Sequence, residues 1–173
     1  MQTSKSIINI ETSCSNDGKH RYLLYRRWNK SLPSACIIML NPNSNDTLDS
    51  DLTSILVQNN IVKLGYGSIR IVNLYSYVTT KLQFKWQSDE ELTDEDNDTI
   101  IKQSADSSDT VILAWGSISD NNKRVSKRIE AILESIISNK DKFRYISDGK
   151  KTGLHPLTPS IRKEWKLVPY ERA

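Results

Sequence analysis

The chain has 173 residues, 37% of them hydrophobic, with a net charge of +3 and two cysteines. That suits one domain, residues 1–173, with one apolar core. It excludes a disulfide framework, a zinc-finger cysteine pattern and a bilayer-spanning segment of about 20 apolar residues. No signal-peptide core follows Met1, so a cytoplasmic protein with no membrane partner is expected. Cys36 opens an apolar run, where a buried free thiol is the natural reading.

In chain order, residues 6–12 and 20–28 read as two strands joined at Asn16-Asp17-Gly18, giving an N-terminal hairpin extension over residues 1–30. Cys36-Ile37-Ile38-Met39-Leu40 follows and ends on Asn41-Pro42. A polar loop with three aspartates leads to a helix over about 48–64, whose Leu52, Ile55, Leu56, Asn59 and Val62 or Lys63 fit a helical stripe only partly. Gly65-Tyr66-Gly67 stops it. Ile69-Arg70-Ile71-Val72 ends on Asn73, and a loop over 76–88 holds Phe84 and Trp86. Thr93 with Asp96 resembles a capping box opening a helix over about 94–105. Val111-Ile112-Leu113-Ala114 ends on Trp115-Gly116-Ser117. A basic helix over about 120–138 carries Val125, Ile129, Ile132, Leu133 and Ile136 on one stripe. Phe143-Arg144-Tyr145-Ile146 then runs through Asp148-Gly149 to His155-Pro156.

Continuous apolar runs suit strands covered on both faces, and their alternation with helices predicts parallel pairing. The expected architecture is an α/β fold, a three-layer α/β/α sandwich. It has a four-stranded parallel central sheet, with the N-terminal β-hairpin added. Ligands of such sheets bind outside the carboxyl ends of the strands. Asn41, Asn73, Trp115 and His155 would meet there.

Charge is unevenly spread. Residues 89–109 hold nine acids against Lys102, whereas residues 121–173 hold thirteen Lys and Arg against six Asp and Glu. A basic third of this kind suits phosphate contacts, so DNA or a nucleotide is the expected partner. A solvated charged face is the plain alternative.

The runs Ile37-Ile38-Met39-Leu40-Asn41-Pro42, Arg70-Ile71-Val72-Asn73-Leu74-Tyr75-Ser76-Tyr77, Val111-Ile112-Leu113-Ala114-Trp115-Gly116 and Gly153-Leu154-His155-Pro156-Leu157 occur in a definite order. Over about residues 21–159 the chain resembles an uncharacterised bacterial and phage family, domain of unknown function sixteen forty-three. It departs from that pattern at Leu52, where proline is usual, and at Thr158, where an aromatic is. The same motif order is similar, at greater distance, to the uracil-DNA glycosylase superfamily. That resemblance implies an N-glycosidic-bond hydrolase acting on a uracil-like or modified pyrimidine. Asn41-Pro42 would then be the asparagine form of the water-positioning motif, and Asn73 the base-reading amide. Trp115-Gly116 would be the third strand end, and His155 the donor in the final loop.

The residue chemistry agrees with those roles. Asn73 offers paired donor and acceptor to a pyrimidine edge. His155 could donate to a developing oxyanion. Asn41 could orient water but is a poor base; the loop offers Asp46, Asp49 and Asp51 as carboxylates, and the resemblance to the uncharacterised family favours Asp46 and Asp51, which match its acidic positions. Tyr75 and Tyr77, with Phe84 and Trp86, could stack on a base. Lys150, Lys151, Arg162 and Lys163 could hold phosphates, with Leu157 as a wedge. Each has a structural alternative: a strand-end asparagine, a loop-anchoring histidine, an Asn-Pro turn, helix capping by the aspartates, or core packing by the aromatics. No cofactor is expected, although three acids in one loop could take Mg²⁺. A hydrolase of free nucleosides or nucleotides, or a non-catalytic binding module, also fits the same residues.

Overall fold

The computed structural model describes residues 1–45, 48 and 50–171. Its strands are β1 (Asn9–Cys14), β2 (Arg21–Arg27), β3 (Ser34–Met39), β4 (Ser68–Asn73), β5 (Thr110–Leu113), β6 (Phe143–Ser147) and β7 (Lys166–Pro169). They form one seven-stranded sheet in the order β1-β2-β4-β3-β5-β6-β7. The helices are α1 (Leu52–Lys63), α2 (Asp89–Leu92), α3 (Glu95–Asp106) and α4 (Lys123–Ser135), with short 3₁₀ turns elsewhere.

This corrects the expected four-stranded parallel sheet between two helical layers. The sheet is mixed. β1 with β2, β2 with β4, and β6 with β7 are antiparallel, while β3 pairs in parallel with β4 and β5, and β5 with β6. The hairpin is not an appendage, because β2 bonds β4 through Leu24↔Ile71 to Arg27↔Ser68. The chain also returns after the His-Pro loop to add β7, which carries no long apolar run to announce it. Nor are there two full helical layers. One face is covered by α3 and α4 through Ile101, Ala105, Val125, Ile129 and Ile132. The other is covered by α1 through Val57 and Ile61, together with Ile161 and Trp165 of the C-terminal segment.

The centre of the sheet follows from its β-branched runs. Ile37 lies between Ile71 and Ile112, and Ile38 between Val72 and Leu113, in matched register. All six are at most 1% exposed. Alternating side chains therefore fill both faces, each burial contributing about 1.5–3 kcal/mol. The helical stripe of α4 packs as its sequence predicts. That of α1 does not, since Leu52, Ile55 and Val62 are exposed while Thr53, Ser54, Val57, Asn60 and Ile61 are buried. Cys36 is buried and free.

Two caps also differ from expectation. α3 starts on Asp94, whose side chain accepts from Asn97 N–H, not on Thr93. The capping box belongs to α2, where Ser88 and Glu91 bond reciprocally. No helix among the described residues is long and apolar enough to cross a membrane.

Asn97 of α3 fastens the end of β4. Fully buried, its amide donates to the carbonyls of Asn73 at 3.1 Å and Leu74 at 3.3 Å, and to Thr93 Oγ1 at 3.0 Å. Removing it takes this donor from the Asn73 carbonyl, whereas the Leu74 carbonyl keeps Arg128 Nε at 2.8 Å. Asn97→Ala is expected to lower stability by about 1–3 kcal/mol in urea titration, the cost of taking a partner from a buried polar group.

Candidate functional site

β3 is flanked by β4, the next strand in sequence, on one side and by β5 on the other, so the loops leaving β3 and β5 diverge. A crevice opens where strand connections part in this way. Here it is a cavity of about 280 Å³, walled by Asn41 and Pro42 after β3, Trp115 and Ile118 after β5, and His155. Asp51, Leu157 and Arg21 also reach it.

The loop after β3 is held against the loop at residue 79. Asn41 Nδ2 donates to the Thr79 carbonyl at 2.6 Å and to the Pro42 carbonyl at 3.2 Å, and Thr79 N–H returns a bond to the Pro42 carbonyl at 3.0 Å. With its donors spent on backbone, Asn41 has its acceptor Oδ1 to offer the cavity. Asp51 caps α1, accepting from Ser54 N–H at 2.6 Å and from Asn43 Nδ2 at 3.1 Å.

His155 is the best-defined group. Leu157 N–H donates to its Nδ1 at 3.2 Å. An Nδ1 that accepts fixes the neutral ring with its proton on Nε2. Burial pulls the imidazolium below its ordinary pKa, with the charge of Asp51 working in the opposite direction. Behind it lies Gly116 at φ +75°, where an added Cβ would stand 3.0 Å from His155 Cβ. The turn after β5 thus needs glycine twice, for its left-handed backbone and for the approach of the histidine.

Of the residues singled out from sequence, the cavity gathers Asn41, Pro42, Asp51, Trp115, His155 and Leu157. Asp46 and Asp49 lie outside the described residues. Asn73 does not reach the cavity: it is fully buried, and neither side-chain amide atom has a partner. Tyr75 packs edge-on against Phe84 with centroids 5.4 Å apart, and Tyr77 against His20 at 5.8 Å. Trp86 is exposed under Lys85. Lys150 and Lys151 line an adjoining depression of about 760 Å³, shared with Gly116 and, on the common wall, His155. There Asp148 is held down to about 2 by the N–H groups of Lys151 and Lys150 and by the Ser160 hydroxyl. Arg162 donates from Nε to the Leu157 carbonyl at 2.9 Å, and the Lys163 carbonyl accepts from Lys63 at 2.8 Å. Both basic side chains are exposed and line neither depression.

Sequence reasoning passed over Arg21, Thr53 and Ser54. Arg21 opens a strand rich in arginine and tyrosine, and nothing local marks it as buried. Thr53 and Ser54 read as ordinary first-turn residues. No group of three or more potential ligand side chains gathers at a metal-binding spacing among the described residues.

The sequence model of the family described as "Protein of unknown function (DUF1643)" matches residues 21–157. The chain belongs to that family. In this DUF1643 domain the matched span contains the strands β2 to β6 and every cavity residue named above. Comparison with curated proteins and with solved structures finds no match, so nothing there supports the wider resemblance to uracil-DNA glycosylases.

Two outcomes follow for the DUF1643 domain. A histidine with a depressed folded pKa binds fewer protons folded than unfolded, so acid favours the unfolded chain. Its destabilising effect is absent well above the ordinary value of 6.5, grows as pH falls through it, and levels off below the folded pKa. Denaturant titrations at pH 7.5 and 5.5 should therefore show a smaller acid loss in His155→Gln than in the parent. Gly116→Ala should cost about 1–3 kcal/mol from the left-handed backbone. Its imidazole signal, followed by NMR, should move with it because the new Cβ displaces His155.

Proposed function

We propose that this cavity is the active site of a hydrolase that cleaves the N-glycosidic bond of a uracil-like or modified pyrimidine. The observation that carries the reading is His155, a neutral ring whose Nε2–H is the only ring donor left once Nδ1 has accepted from Leu157. When the bond from C1′ to the base nitrogen breaks, its electron pair leaves with the base and spreads to the base oxygens. A preorganised N–H aimed at that charge lowers the barrier. Asn41 Oδ1 orients the water that attacks C1′, and Asp51 on the same wall takes the water's proton. Trp115 and Leu157 supply the apolar surround in which such interactions strengthen.

DNA is the preferred carrier of the base, because the depression that shares His155 with the cavity sets Lys150 and Lys151 beside it for flanking phosphates, with Asp120 and Asp148 also on its wall. A free nucleotide is the second reading. It is favoured by the burial of Asn73 and by the packing of Tyr75 and Tyr77 against Phe84 and His20, outside the cavity lining.

Mass spectrometry of base released from DNA panels and nucleotides tests both. The panels carry uracil, mismatches and modified pyrimidines, single- and double-stranded. His155→Ala should lower release by about 10²–10³-fold, the usual effect of deleting one such donor, and Asn41→Ala should lower it too. Because the donor is neutral, release should stay level between pH 7 and 8.5. A tenfold fall per pH unit there would mean that protonated histidine is required. Binding that depends on the base but yields no product would replace the hydrolase with a recognition module, and steep weakening with salt would favour DNA over nucleotide.

A further inference from the structure

Arg21 sits at the start of β2 with its side chain in the cavity wall, yet it is only 3% exposed. Nη1 donates to the Ser44 carbonyl at 2.6 Å. Nε is sealed from solvent and has no partner. Arg21 takes part in none of the ion pairs among the described residues. Its neighbour Arg26 is buried to the same degree and also leaves Nε without a partner, but both its terminal nitrogens are met by side chains, Nη1 donating to Gln58 at 2.7 Å and Nη2 to Ser50 at 2.6 Å. A guanidinium withdrawn from water is strongly destabilising unless its donors and charge are met.

Asp51 is the described carboxylate that faces Arg21 across the cavity, and its oxygens already accept from Ser54 and Asn43. The two arginines also repel one another across this region. Burial draws Arg21 down to about 10, against the pull of Asp51, so it stays charged at neutral pH. Thr53 and Ser54, in the first turn of the twelve-residue α1, line the same cavity, with the Ser54 N–H taken up by Asp51.

We infer that the cavity is an oxyanion site, in which the ligand buries a phosphate or carboxylate group against the part of the Arg21 guanidinium that lines it. The planar fork of arginine suits two oxygens of one such group, which a lysine ammonium meets only as a point charge. The Thr53 and Ser54 side chains stand beside that group. This goes beyond hydrolysis, because it specifies which ligands bind whether or not a bond is then broken.

Titration calorimetry on the full chain at fixed ionic strength tests it with paired probes. Uridine 5′-monophosphate is set against uridine for phosphate, and orotate against uracil for carboxylate. At least one anion should bind about tenfold or more tightly than its neutral partner, and the arm that does so names the group. Arg21→Lys should weaken that binding by about 10- to 100-fold, the loss of a charge-assisted pair, and Arg21→Gln should erase the preference. Circular dichroism checks the fold of each variant, and the unsubstituted chain and Arg21→Lys decide the matter if Arg21→Gln does not fold. Equal binding of anionic and neutral partners, or a preference that persists unchanged in Arg21→Lys, overturns the inference. Released base is scored separately, so failure of cleavage and failure of anion binding are distinguishable.

Discussion

The row Ile71-Ile37-Ile112 is the constraint on which the rest of the molecule depends. It places β3 at the middle of the sheet with a parallel neighbour on each side, and its side chains lock register through close packing. A shift of one residue would exchange the two faces, exposing Ile37 and its neighbours to the wrong layer. Because the register holds, Met39 and Leu113 end their strands side by side with their following loops directed apart. Backbone bonds carry the ladder slightly further, from Ala114 N–H to Ile38 and from Leu74 N–H to Met39, both at 2.9 Å. The cavity is the space those diverging loops leave.

What occupies its rim is determined by contacts made behind the site. Gly116 admits the body of His155, Leu157 N–H sets the tautomer of the ring, and Arg162 holds the Leu157 carbonyl. Asn41 is likewise turned by Thr79, a residue beyond the end of β4. The polar groups of the site are therefore held in place by contacts from separate segments, His155 by Leu157 N–H and Asn41 by the Thr79 carbonyl. That arrangement suits a pocket whose work is electrostatic, since dipoles fixed in advance need no rearrangement when charge develops.

The fold was legible where burial was symmetrical. The runs that became β3 and β5 are apolar on both faces, those of β4 and β6 are interrupted only at Arg70 and Arg144, and α4 shows a clean stripe, because each buries against hydrophobic surface. It was illegible where polar residues are buried. α1 turns Thr53, Ser54 and Asn60 inward, toward the cavity and the C-terminal segment, so its hydrophobic period points the wrong way. β7 and the pairing of β2 with β4 depend on backbone bonds that side-chain patterning does not encode, which is why the sheet is larger and more mixed than the sequence implied.

By itself the sequence determined which residues end the central strands, and hence that Asn41, Trp115 and the His155 loop lie on one edge. Strand ends are local properties, set by where an apolar run stops. Only the tertiary structure decided that Asn73 and Tyr75 are sealed in the core, while Arg21, distant in the chain, enters the cavity. Burial of a polar side chain depends on what packs over it, and that is a property of the assembled sheet and loops. No single segment of the sequence carries it.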